Sequence, residues 1–286
     1  MPDGLKLVKE LREKTGAGFL DCKQVLKDNG NDIELAIDSL RKKGLAKASK
    51  KSSREAKEGA LGVYTNKSQT IILKVNSETD FAAKSNTFLD FLDLLGNLAM
   101  DINDTKLNLD LFLNYKHNGK LISDLINEMI VKIGENIILN QIEVINHKEN
   151  FVSFYVHNSY RKNIGKIISL IQYKADSCDD DIKKLSKNIC MHIAALKPES
   201  IDKDGLSKNI IDREMSIQKE LIADSGKPDN VVEKILEGKM KKFFSEITLM
   251  NQSFVLDPDK IVKEVIDTYT ESHSYELLKF NLVTLN

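Results

Sequence analysis

Cysteine is scarce in this chain, and net charge of either sign is almost absent. Three cysteines, Cys22, Cys178 and Cys190, are scattered through 286 residues. An odd number without metal-ligand spacing provides neither a disulfide framework nor a zinc module, and it fits buried, reduced thiols in a cytosolic protein. The 42 basic and 43 acidic side chains leave a formal charge of -1. The chain as a whole is therefore not built to coat nucleic acid or an anionic membrane, and no nucleic-acid partner is expected beyond a local contact. No apolar run approaches the roughly 20 residues that span a bilayer. The opening stretch, MPDGLKLVKELREKTGAG, scatters its charges and has no apolar core, so it reads neither as a secretory signal nor as a transit peptide. The expectation is a cytoplasmic protein with no membrane partner.

Catalytic equipment is also lacking. There is no Gly-rich phosphate loop, no nucleophile elbow and no His-Glu-x-x-His pair. Five histidines are scattered without ligand spacing, and Asp179-Asp180-Asp181 reads as acidic charge at a helix start. The sequence thus predicts no enzyme, no metal site and no cofactor.

What is present is a globular composition, 41% hydrophobic and 30% charged, long enough for two or three modules. Residues 5 to 46 read as three short helices, because apolar positions recur at helical spacing between stops at Gly16, Gly18 and Asn29-Gly30. Asn31 is the expected cap of the third, with Glu34 completing a capping box. This is a compact unit of ubiquitin-associated (UBA-like) type. Residues 41 to 59 then carry eight Lys or Arg against two Glu. They read as a mostly exposed linker, either a solvated tether or an RNA-binding arm working through 41–57.

The period then changes to that of strands. ALGVYTN (60–66) and TIILKVN (70–76) flank a polar turn, which predicts a hairpin. Helices are expected over about 80–102 and 120–134, followed by strands at 137–146, 151–158 and 166–175 and a helix over 180–196. The repeated strand-strand-helix order predicts two related α+β subdomains with antiparallel sheets. Residues 206 to 244 read as two helices broken at Ser225-Gly226-Lys227-Pro228, an antiparallel hairpin of coiled-coil type. A helix over 258–270, with Pro258 in its first turn, and a last β-like run close the chain. The fold class is α+β. Its expected modules are a three-helix domain (1–50), a basic linker (51–59), a core subdomain (60–140) and a second core subdomain (141–286). The second subdomain carries the inserted hairpin at about 203–243 and a C-terminal helix/strand module.

One corner stands out, SETDFAAKS at 77–85, where strand becomes helix. Read from pattern alone, Thr79 or Ser77 caps the helix, Asp80 complements its dipole and Phe81 packs inward. LVKELREKTGAGFLDCKQVL at 7–26, this corner, MHIAALKPE at 191–199, SGKP at 225–228 and EGKMKKFFSEITLMNQSFV at 237–255 together resemble the elongation factor Ts family, in order and over essentially the whole chain. Two departures are visible. Ala82 stands where the family usually has Val, and Ser253 replaces a usual Pro.

The resemblance implies a guanine-nucleotide exchange factor for the translational GTPase elongation factor Tu, in its GDP-bound and nucleotide-free forms. It implies that Thr79, Asp80, Phe81 and Ala82 form the contact that dislodges the GTPase's Mg²⁺, with Phe81 as a wedge. It also implies that Arg12, Phe19 and Leu20 meet the GTPase domain and that His192 lies in a segment facing a distant domain. For His192 a satisfied core histidine is the alternative. Whether the helical hairpin forms a homodimer, docks on the partner or does neither stays open.

Overall fold

The computed structural model describes residues 2–15, 17–102, 104–223, 228–271 and 273–285. The expected stop at Gly16, and Ser225, Gly226 and Lys227 of the expected hairpin break, lie outside the described residues. Mixed helix and antiparallel sheet make up the fold, with 11 α-helices and 11 strands among the described residues. The chain divides into two compact units, one of Met1–Asn146, Asn158–Lys166 and Thr284–Asn286, the other of His147–His157 and Ile167–Val283.

The first unit opens with α1 (Pro2–Thr15), α2 (Phe19–Asp28) and α3 (Ile33–Lys51). Val8, Leu11, Cys22, Val25, Leu26 and Ala36 form their shared core. The expected cap is off by one residue. Asn31 takes a left-handed conformation (φ 65), which Asn tolerates, and Asp32 becomes the cap by accepting from the Leu35 N–H at 3.0 Å. Nor does α3 end near residue 46. It continues to Lys51, so only residues 52–57 separate it from the next strand. Ala and Lys are good helix formers, Ala48 is buried in the core, and the Lys51 ammonium donates to the Gly134 carbonyl.

The expected hairpin forms from β1 (Glu58–Thr65) and β2 (Gln69–Ser77), in register from Glu58↔Ser77 to Thr65↔Thr70. The Asn66 carboxamide closes its turn by accepting from the Ser68 and Gln69 N–H groups at 2.9 Å each. Then come α4 (Asp80–Lys84), α5 (Asn86–Ile102), α6 (Leu109–Leu113), the small β3 (Lys116–His117) and β4 (Lys120–Leu121) ladder, α7 (Ile122–Ile133) and β5 (Ile137–Asn146). After β6 (Phe151–His157), which belongs to the second unit, β7 (Ile164–Gly165) completes an antiparallel sheet of order β5-β2-β1-β7.

The single helix expected over 80–102 is two. Ser85 leaves the helical region (ψ 142), and its hydroxyl accepts from the Phe88 N–H at 3.2 Å to start α5. The break lets α4 bury Ala82 and Ala83 while α5 separately buries Phe88, Leu92 and Leu95 against the sheet. Tyr64 lies across Gly96 of α5, its hydroxyl 3.2 Å from Asp93, and Arg161 grips Asp90 and Asp93 at 2.8 and 2.9 Å.

The second unit holds a three-stranded sheet of order β11-β8-β6, from β8 (Ile167–Ala175), β6 and β11 (Tyr275–Thr284). It packs with α8 (Asp180–Leu196), which starts on the Asp179 carboxylate. Helices α9 (Lys208–Ala223) and α10 (Asp229–Ile247) pack on each other. The helix expected from residue 258 starts later. β9 (Ser253–Phe254) pairs with β10 (Asp257–Ile261), which contains Pro258, and only then does α11 (Val262–Thr270) begin. Its start is set by Glu264, whose carboxylate accepts from the Ile261 N–H at 2.9 Å, while Pro258 sits in a short, bulged ladder that tolerates a missing donor.

Candidate functional site

Thr79 ends the extended run of β2 and caps α4, with its hydroxyl accepting from the Ala82 N–H at 3.2 Å. Successive helical residues point about 100° apart. Once Ala82 and Ala83 turn inward, with 7% and 0% of their surface exposed, Phe81 must turn outward, and its ring is 84% exposed. Of the two readings of Phe81, inward packing and outward display, the structure has the second. Asp80 pairs with Lys84 at 2.8 Å, and that hydrogen bond holds its carboxyl below the usual range. Beside the ring lies an open groove of about 350 Å³, lined by Phe81, Ala82, Ser85, Thr87, Lys132, Ile133 and Glu135.

The corner is also held from outside its own helix. The Glu135 carboxylate accepts from the Thr79 N–H at 3.0 Å and from the Thr79 hydroxyl at 2.7 Å. Glu78 accepts from the Asn136 N–H at 2.6 Å and pairs with Arg54 at 3.5 Å. Glu135 and Asn136 belong to no motif of the sequence. The visible signal was a Gly just after a helix, which foretells a left-handed turn but not what that turn touches.

In the three-helix part of the first unit, Arg12 and Phe19 are exposed and Leu20 is 78% exposed, the last two in the first turn of α2. His192 differs. It is fully buried on α8, its Nε2 lies 2.9 Å from Gln252 Oε1, its Nδ1 accepts from the Val255 N–H at 3.2 Å, and its ring stacks on Phe254. The structure thus places Thr79–Ala82 together, Arg12, Phe19 and Leu20 on a separate helical unit, and His192 in a core. Val255, whose N–H His192 accepts, and Leu256 after it are exposed.

Several basic side chains of 41–57 are already paired. Arg41 meets Asp124 at 2.8 Å, Lys43 meets Asp21 at 3.3 Å and Lys57 meets Glu55 at 2.7 Å. Among the described residues no cluster of three His, Cys, Asp or Glu could hold a metal ion, and no helix is long and apolar enough to cross a membrane.

Residues 78–285 match the family model described as elongation factor TS. The elongation factor Ts of Allorhizobium ampelinum is 38% identical over 256 residues, covering 90% of this chain and 83% of that protein. The one from Rhizobium etli is 40% identical over 260 residues (91% and 84% covered), and the one from Magnetococcus marinus is 39% identical over 261 (91% and 84%).

Proposed function

The chain belongs to the elongation factor Ts family, and from that membership we propose that it is a guanine-nucleotide exchange factor for elongation factor Tu, not an enzyme. The observation that carries the proposal is the exposure of Phe81, 84%, on a corner braced by Glu78 and Glu135. A large apolar ring held in water on a rigid bend gains free energy only when something else covers it.

In this reading Phe81 inserts beside the Mg²⁺ site of the GTPase, and Thr79, Asp80 and Ala82 complete the contact. Moving the groups that hold the cation removes the charge that neutralised the β-phosphate, and GDP leaves faster. The chain contributes no proton transfer and no nucleophile. Linkage requires that whatever weakens nucleotide binding is itself weakened equally by nucleotide, so the nucleotide-free GTPase is the preferred partner. Arg12, Phe19 and Leu20 supply a second contact to the GTPase domain. His192 reaches a distant domain only indirectly, by holding the backbone that displays Val255 and Leu256.

The finer architecture follows the family as well. The three helices through Lys51 serve as a UBA-like module and 52–57, shorter than the expected 51–59, as the linker. The related subdomains expected over 60–140 and 141–286 meet after β5, at Asn146, and not within that strand. α9 and α10 act as a projecting coiled-coil hairpin whose exposed Ile217, Leu221 and Val231 are the surface through which a homodimer would form. The test is to load elongation factor Tu with fluorescent GDP and follow its release with and without this protein. An unchanged off-rate at saturating concentration would overturn the proposal.

A further inference from the structure

The helix that carries Phe81 is five residues long, too short to hold itself in water, because helix nucleation fixes several residues for a single hydrogen bond. Something outside α4 must set its conformation. α7 ends at Gly134, whose left-handed backbone (φ 88) turns the chain so that Glu135 and Asn136 face residues 78 and 79. The two short segments then exchange bonds reciprocally. Glu135 takes the Thr79 N–H and hydroxyl, and Glu78 takes the Asn136 N–H. Asn136, almost wholly buried, anchors this turn by donating to the Arg54 carbonyl at 2.7 Å.

The Thr79 hydroxyl has one proton and two acceptor lobes. It sits 2.7 Å from Glu135 Oε1 and 3.2 Å from the Ala82 N–H. A carboxylate accepts, so the Thr79 hydroxyl donates its O–H to Glu135 and keeps a lone pair aimed at the Ala82 N–H. The carboxylate therefore orients the cap that starts the helix, besides holding the backbone ahead of it.

We propose that Glu135 is the positioning residue for Phe81, holding Thr79 at two atoms so that the first turn of α4 is already formed when the partner arrives. The proposal rests on the exchange reading for its consequence, though not for its geometry. Loss of pre-organisation lowers the fraction of molecules ready to bind and raises the apparent dissociation constant in proportion, with little effect once the complex has formed.

The chain contains seven tyrosines but no tryptophan, so Phe81→Trp installs a single, selectively excitable tryptophan at the corner. On the isolated protein, adding Glu135→Ala to Phe81→Trp is expected to lower the fluorescence anisotropy. Glu135→Gln, which keeps one acceptor oxygen, is expected to recover part of it. In otherwise unaltered protein, Glu135→Ala is expected to raise the concentration giving half-maximal GDP release about tenfold, the loss of one net charge-assisted hydrogen bond, and to leave the saturated rate within about twofold. Equal anisotropy in all three chains, or an unchanged half-maximal concentration, overturns the proposal. If far-UV circular dichroism shows that Glu135→Ala does not fold, the near-isosteric Glu135→Gln carries the same comparison, and equal anisotropy there overturns it too. Because anisotropy is read without a partner, a failure of the exchange reading, seen as GDP release indifferent to Phe81→Ala, is distinguishable from a failure of this one.

Discussion

Phe81 and Ala82 are neighbours on one helical turn with opposite surroundings: the ring is 84% exposed and the methyl beside it 7%. The small residue seals the corner and the large one is displayed by it. A ring that touches little of its own protein contributes little to folding, so Phe81→Ala is expected to change stability by no more than about 0.5 kcal/mol. If the ring is an anchor in the partner, its loss costs about 2 kcal/mol of binding or more, which is roughly 30-fold in stimulated GDP release at subsaturating concentration. Equilibrium urea unfolding and stopped-flow GDP release check the two halves. A large stability loss would mean that the ring packs inward in solution.

Leu20 offers a separate test, because it lies on the three-helix unit with its side chain 78% exposed. A contact away from the corner acts as uniform binding energy, which sets affinity without changing the step at the nucleotide. Leu20→Asp is expected to raise the half-maximal concentration about tenfold while the saturated rate and the thermal midpoint stay put. A fall in the saturated rate alone would tie Leu20 to the release step instead.

Toward the turn end of the β1–β2 hairpin, at the far end of the ladder from the corner, Tyr64 and Gly96 are matched in shape. A Cβ at Gly96 would lie 2.1 Å from the Tyr64 ring. The ring is held by its hydroxyl on Asp93, and burial pushes that phenol far above its ordinary range. Gly96→Ala is therefore expected to destabilise the protein by about 3 kcal/mol, the upper part of the range for overpacking a filled core, measured by urea unfolding. A loss below about 1 kcal/mol would show that the ring has room to move.

Local pattern carried much of this architecture. The alternation in IILNQIEVIN marks β5 to its observed ends, and the acidic start and apolar stripe of α8 bound it at Asp180 and Leu196. Pattern failed where a distant partner decides the outcome. α3 runs on to Lys51, where its last ammonium reaches the Gly134 carbonyl, 83 residues away. The break at Ser85 separates helices that bury different faces, although the apolar residues read as one stripe. Pro258 fits a helix start as well as it fits an edge strand, and only pairing with Ser253–Phe254 selects the strand. At the site, the Thr-Asp-Phe corner was visible as a cap and a dipole charge. Its bracing by Glu135 spans 56 residues and leaves no periodic trace.

His192 links packing to pH. Burial moves its pKa below the ordinary 6.5, against a smaller upward pull from Gln252, so the folded protein holds the ring neutral. The unfolded chain takes up a proton near 6.5 and the folded one only at lower pH. Stability is thus full above about pH 6.5 and falls as pH drops toward the folded-state pKa, by at most about 1.4 kcal/mol per pH unit for one proton. His192→Gln removes that site, so the stability gap between parent and variant is expected to narrow from pH 7.5 to 5.5 in urea titrations. A constant gap would mean that the ring titrates alike in both states. The consequence reaches the surface, because Nδ1 accepts from the Val255 N–H at 3.2 Å. A proton on Nδ1 would turn that acceptor into a second donor, break the bond, and release the turn that displays Val255 and Leu256.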